Sequence, residues 1–179
     1  MHAMQFLIAT LFNLFLMVVL LRFWLQLARA DFYNPLSQFV VKATNPLVLP
    51  LRRVIPSLGM LDTATLLLAY LVATLKYVVL YLLFVGSISL PVTLLIGLLS
   101  LIKEAGFLVF WVLILRALLS WFSQGRNPVE HVVHQLTEPL LKPIRRILPP
   151  MGGLDLSILV VIIALQFVYF LFGDLFRGI

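Results

Sequence analysis

Four stretches of the chain, residues 4–27, 61–85, 105–122 and 154–172, are almost wholly apolar and nearly free of turn residues. About 20 such residues, wound as a helix, cross a ~30 Å hydrocarbon core. Lipid offers no water to pair with backbone N–H and C=O groups, so a spanning segment must satisfy them internally. That constraint sets the expected fold class: all-α, a polytopic membrane protein with about four transmembrane helices plus short interfacial helices. Composition agrees. Hydrophobic residues make up 63% of the chain and charged residues 11%, against about 45–50% and about 25% in soluble domains. Mean hydropathy is +1.12, and a soluble core of 179 residues cannot hide that much apolar surface.

The first 21 residues carry no basic region ahead of the apolar run, and the first strong charge, Arg22, comes near its end. A cleaved signal has the reverse order, so this segment is expected to stay as an anchor. Cysteine is absent, which excludes disulfides, thiolate nucleophiles and thiolate metal sites.

The net charge is +6, and placement decides what it means. Eight of the 13 basic residues fall in two stretches: Arg29, Lys42, Arg52 and Arg53, then Arg126, Lys142, Arg145 and Arg146. Lysine and arginine collect on cytoplasmic loops of membrane proteins. The charge is therefore read as topology and lipid-headgroup contact, and no nucleic-acid partner is expected.

The chain also matches itself. At a fixed shift of 93 residues, NPLSQFVVKATNPLVLPLRRVIPSLGMLD from Asn34 lies over NPVEHVVHQLTEPLLKPIRRILPPMGGLD from Asn127. Between Asn34 and Leu66, 14 of 33 positions are identical, among them four prolines, two adjacent arginines, a glycine and an aspartate. Apolar composition alone does not align those residues, so the pattern reads as a tandem repeat of helix, basic loop and helix. With one gap, Arg22 falls over Arg116. The first repeat is expected over residues 4–85 with its loop at 28–60, and the second over 105–173 with its loop at 123–153. The connecting apolar segment, 86–104, holds Pro91 and ends at Lys103 and Glu104. Its stretch 87–102 is short for a span and is expected to be re-entrant or interfacial. Two crossings between the loops then place both in the cytoplasm and both termini outside.

Each loop opens with Asn-Pro, at Asn34-Pro35 and Asn127-Pro128. Asparagine caps free helix amides and proline suits the first turn, which predicts short interfacial helices over 35–44 and 128–137. The pattern P-x-x-x-P-x-R-R-x-x-P-x-x-G-x-L-D follows, carried by Pro46, Pro50, Arg52, Arg53, Pro56, Gly59 and Asp62, then by Pro139, Pro143, Arg145, Arg146, Pro149, Gly152 and Asp155. Prolines at this density are expected to deny a long regular helix. Asp62 and Asp155 stand where membrane helices begin, as N-caps, with a further charge pair to Arg22 and Arg116 or to the double arginines. Arg52, Arg53, Arg145 and Arg146 are candidates for docking lipid or a partner, each basic residue near an anionic surface contributing roughly 1 kcal/mol.

Three charges lie within apolar runs: Arg22, Lys76 and Arg116. An ion there is costly and marks function or snorkelling. Lys76, with Tyr169 at the corresponding place in the second copy, is expected to reach toward the outer face. His131, His134, Glu130 and Glu138 are close in sequence, but the first copy has Gln38 and Val41 at the histidine positions, and no metal is expected. No phosphate loop, nucleophile arrangement or paired intramembrane carboxylates are evident, so neither an enzyme nor a cofactor is expected.

The doubled proline–arginine–glycine–aspartate pattern between hydrophobic helices resembles the YggT family of bacterial and plastid membrane proteins, in its two-copy proteobacterial form. The resemblance covers nearly the whole chain. It implies a multi-pass protein of the bacterial inner membrane, without enzymatic activity, linked to osmotic stress and potassium homeostasis. Single-copy relatives of the YlmG kind are linked to cell-division gene neighbourhoods, and plastid ones to nucleoid distribution and cytochrome assembly. The leading expectation is a scaffold or assembly factor with a membrane protein partner or a homo-oligomer. The alternative is a channel or ion transport component acting as an oligomer, with little polar lining beyond Thr63, Thr65, Thr74, Ser157 and Gln166.

Overall fold

A computed structural model of the chain describes residues 2–59, 61–86, 89–122, 127–148 and 156–175. Among these residues the fold is entirely helical: α1 His2–Leu27, α2 Pro35–Val54, α3 Thr63–Phe84, α4 Leu90–Phe122, α5 Pro128–Arg145 and α6 Leu156–Leu175. Three apolar stretches are long enough to cross a membrane, His2–Leu27, Thr63–Phe84 and Leu90–Ser120, and Leu156–Leu171 is a shorter apolar one. The spanning helices are apolar on every side. Leu7, Leu11 and Leu14 on α1, and Leu71, Leu75 and Leu82 on α3, point outward, as lipid-facing residues do.

The helix ends follow local chemistry. Asn34 caps α2, its Oδ1 accepting from the Leu36 amide at 3.0 Å, and Asn127 caps α5 through the Val129 amide at 2.9 Å. At the end of α1, Arg29 takes a left-handed backbone (φ 51°), while Ala30 N–H bonds back to Leu25 and Arg29 N–H to Gln26. These are the two bonds of a Schellman cap, a place glycine more often occupies. Ahead of α3, Gly59 has φ +61° in a tight turn whose ends, Leu58 and Leu61, exchange both backbone hydrogen bonds.

Two sequence expectations are corrected. The prolines do not end the loop helices: Pro46 and Pro50 lie inside α2, and Pro139 and Pro143 inside α5. Each proline removes one amide and leaves the carbonyl four residues earlier without its helical partner. All four prolines are on exposed positions of amphipathic helices, where water or headgroups reach those carbonyls. The cost that forbids proline in a buried helix is therefore small here. The connecting segment is not a separate element either, because α4 runs unbroken from Leu90 to Phe122 through Lys103 and Glu104. Pro91 sits in its first turn, where no bond is lost, and lysine and glutamate are good helix formers. At 33 residues the helix is about 50 Å long.

The chain divides into two compact units, Met1–Ala105 and Gly106–Ile179, and α4 contributes to both. In the first unit, Leu16, Val19, Leu20 and Leu25 of α1 bury against α3 and α2. The facing side of α3 is rich in small residues (Ala64, Ala69, Ala73), which lets apolar helices approach closely. The second unit centres on Leu113, Leu141, Ile158 and Val161.

Helices α3 and α4 approach closely at Gly97, where an added Cβ would fall 2.9 Å from the Thr74 Cα. Gly97→Leu is expected to lower stability by about 2 kcal/mol through overpacking, read as a fall in the detergent-solubilised protein's Tm. Gly106→Leu, where no atom lies within 4 Å, should leave Tm nearly unchanged.

Candidate functional site

Each unit holds an arginine that its membrane helix buries and whose hydrogen bonds its proline-bearing helix accepts. Arg22 on α1 is 4% exposed. Its Nη1 donates to Thr44 Oγ1 at 2.6 Å, Asn45 Oδ1 at 2.9 Å and the Val41 carbonyl at 3.3 Å. Arg116 on α4 is 8% exposed. It donates to Thr137 Oγ1, to the His134 carbonyl at 3.4 Å and to Glu138 Oε2 at 3.2 Å. Thr44 hydroxyl donates in turn to the Val40 carbonyl at 2.7 Å, and Thr137 to the Val133 carbonyl at 2.7 Å. The threonine spends its proton on its own helix and keeps its lone pairs for the guanidinium. The three α2 partners and the three α5 partners occupy positions related by the same 93-residue shift.

Arg22 thus turns to α2 and not to Asp62, and of the two expected pairings of that aspartate the one with the double arginines is formed. Asp62, 1% exposed, caps α3 by accepting from the Thr65 amide at 3.3 Å, accepts from the Thr65 hydroxyl, and pairs with Arg52. Arg52 also reaches Gln26 Oε1 at 3.0 Å. Burial pushes the Asp62 carboxyl up, but hydrogen bonds from Arg52 and Thr65 outweigh it and hold it below the ordinary aspartate range. In the second unit Arg145 reaches Glu138, at 3.0 Å. Burial likewise raises Glu138, and Arg116 and Arg145 reverse the shift and hold it low. His134, 3.6 Å from Glu138, is held below the usual histidine range by burial and by Arg116. Pro149, Gly152 and Asp155 lie outside the described residues.

The double arginines are therefore divided. Arg52 and Arg145 pair with carboxylates, while Arg53 and Arg146 are exposed with no side-chain ion pair among the described residues. Lys42 on α2 and Lys142 on α5 are exposed as well. Pro56 supplies a carbonyl to Thr63 Oγ1 at 2.7 Å, tying the loop to the start of α3.

Lys76 does not reach outward. It is 4% exposed, donates to Asn13 Oδ1 at 2.8 Å on α1 and Ser100 Oγ at 2.9 Å on α4, and lies over the Tyr77 ring at 4.8 Å. A buried ammonium is stable only when its donors are used, and these three neighbours use them. Sequence reasoning missed Asn13, Ser100, Thr44 and Thr137 as partners. Thr44 and Thr137 did carry a signal, being one of the 14 identities. Among the described residues, no group of three or more histidine, cysteine or carboxylate side chains could hold a metal.

Asp62→Ala removes a cap and an ion pair whose arginine is partly exposed, and is expected to cost about 2 kcal/mol. Asp62→Asn keeps a capping oxygen and should cost about half as much. Because the folded carboxyl titrates lower than the unfolded one, its stabilisation is complete above the unfolded value, about pH 3.9. It is lost as pH falls through the lower folded value. Tm measured against pH should show an acid-side fall that is smaller in Asp62→Asn.

The family model described as CCB3/YggT matches residues 1–83 and 95–176 of the chain. The protein named for the proC 3′ region of Vibrio alginolyticus is 63% identical over 177 residues, covering 98% of this chain and 96% of its own length. The YggT protein of Escherichia coli K12 is 51% identical over 165 residues, with 92% and 86% covered. A protein of Haemophilus influenzae is 42% identical over 172 residues, with 96% and 92% covered. No solved structure matches. By the family model and by these identities along its length, the chain belongs to the CCB3/YggT family.

Proposed function

We propose that this protein is a non-enzymatic scaffold or assembly factor of the bacterial inner membrane. In this reading it presents two equivalent basic surfaces, one from each copy of a tandem repeat, to a membrane protein partner or to a second copy of itself. The observation that carries the reading is the division of each double arginine. One arginine pairs with a carboxylate, Arg52 with Asp62 and Arg145 with Glu138, and its neighbour, Arg53 or Arg146, is exposed with no side-chain ion pair among the described residues. A pair of cations used only for internal stability has no reason to split in the same way twice. The matched partners of Arg22 and Arg116 support the repeat. In this reading α3 and α4 each cross once, which keeps the two loops on one side, and the excess of basic residues in both assigns that side to the cytoplasm. The roles in envelope, osmotic and potassium homeostasis belong to this proposal, and a docking surface serves each of them without catalytic groups.

A second reading has one observation in its favour. Lys76, Asn13 and Ser100 form a polar node inside an apolar helix cluster, and such groups line ion paths in oligomers. Potassium flux from liposomes holding the purified protein, abolished by Lys76→Met, would support a channel component. An absence of flux under every osmotic gradient removes it.

Since the native chain has no cysteine, single cysteines at positions 53 and 146 give unique labels. An impermeant thiol reagent should spare both in intact cells and reach both in inverted membranes. A photo-crosslinker placed at either position should yield the same adduct from the two copies. Labels on opposite faces, or unrelated adducts, contradict the scaffold with paired surfaces.

A further inference from the structure

Helices α3 and α6 occupy matching places in the sequence but meet different surroundings. In the first unit, the N-terminal part of α4 covers one face of α3. The Tyr70 hydroxyl donates to the Leu94 carbonyl at 3.2 Å, Gly97 lies against Thr74, and Lys76 donates to Ser100 at 2.9 Å. A shift of 93 residues carries Tyr70, Ala73, Thr74 and Tyr77 onto Ile163, Gln166, Phe167 and Phe170 of α6. Ala73 is fully buried, whereas Ile163, Phe167 and Phe170 are 58%, 66% and 64% exposed. The face that takes a third helix in the first unit is open in the second.

Open apolar side chains suit lipid, and their exposure alone asks for no partner. Gln166 is different. It sits halfway along α6, between apolar neighbours, and is only partly buried. Its carboxamide makes no hydrogen bond among the described residues. No water reaches the hydrocarbon to satisfy such a group. Nor does Gln166 stand alone on its helix. Leu159, Ile163, Gln166, Phe170 and Gly173 follow in steps of four, three, four and three, the spacing of a coiled-coil seam. The other four residues of this seam are exposed. Ile158 and Val161, which enter the core of the second unit, lie on a different side of α6.

We propose that α6 pairs along this seam with α6 of a second copy of the chain, the two Gln166 carboxamides bonding to each other. Copies inserted in the same direction run these helices parallel about a two-fold axis, so each seam residue meets its own counterpart. A carboxamide carries both N–H donors and a carbonyl acceptor, so two identical ones satisfy each other. Two ammonium groups or two carboxylates at this place would repel. Apolar contact between helices gains little over contact with lipid, and interhelical polar bonds supply part of what holds them. A single polar residue in the seam also fixes its register. The pairing is separate from the basic surfaces of α2 and α5 and does not depend on them.

The chain has no cysteine, so one introduced cysteine can form a disulfide only with another copy or with a different protein. In oxidised native membranes, Leu159→Cys, Ile163→Cys and Phe170→Cys should each give a covalent dimer. Val160→Cys, Ala164→Cys and Leu171→Cys, turned about 120° around the helix, should give little. Gln166→Leu should raise the dimer dissociation constant in detergent about tenfold, read by sedimentation equilibrium, with helicity unchanged. Gln166→Asn should keep most of the affinity. Equal dimer yields around the helix, a monomer at every concentration, or dimerisation untouched by Gln166→Leu overturns the pairing. An adduct with a different protein at the seam positions, in place of the dimer, overturns it as well.

Discussion

A guanidinium buried in an apolar helix must find acceptors, and the segments nearest to Arg22 and Arg116 that can supply them are the loop helices. Much of the architecture follows from that requirement. The threonine on each loop helix donates to its own backbone and receives from the arginine, so a polar residue that weakens a helix interior elsewhere becomes the joint between two elements. The joint adds to the apolar faces that α2 buries through Val40 and Val48 and α5 through Val132, Val133, Leu136 and Leu141. With it, each is pinned across the end of a membrane helix, and its exposed cations face one way.

Proline fits the same logic. In a spanning helix Pro46 and Pro50 would leave carbonyls in hydrocarbon at high cost. On the exposed side of an interfacial helix the same carbonyls are solvated, and the residue instead stiffens the chain. The two units differ in the residue that follows the threonine of the joint. The first uses a neutral asparagine at position 45 and sends Arg52 to the cap of α3. In the second unit Glu138 accepts from both Arg116 and Arg145.

Much of this was legible in the sequence. Runs of apolar residues announced helices in lipid, and the caps Asn34, Asn127 and Asp62 announced where helices begin. Three features were not. Proline statistics are dominated by buried and soluble helices, so the loop helices were expected to stop at residues 44 and 137, ten and eight residues short of Val54 and Arg145. The hydropathy dip at Lys103 and Glu104 suggested a break, but charge does not interrupt a helix backbone, and α4 passes through it. The partners of Lys76 lie 63 and 24 residues away, and no local pattern reports a contact across three helices. Periodicity sees an element's own chemistry and is blind to which neighbour satisfies a buried charge.

A double-mutant cycle on Arg22 and Thr44, read by reversible unfolding in detergent and repeated on Arg116 and Thr137, addresses the buried joint directly. If the guanidinium is held by the threonine, Arg22→Met and Thr44→Val are non-additive, with a coupling of about 1 kcal/mol or more in each copy. Additivity within about 0.3 kcal/mol at both pairs would mean that the arginines are satisfied elsewhere and that the loop helices are not pinned as described.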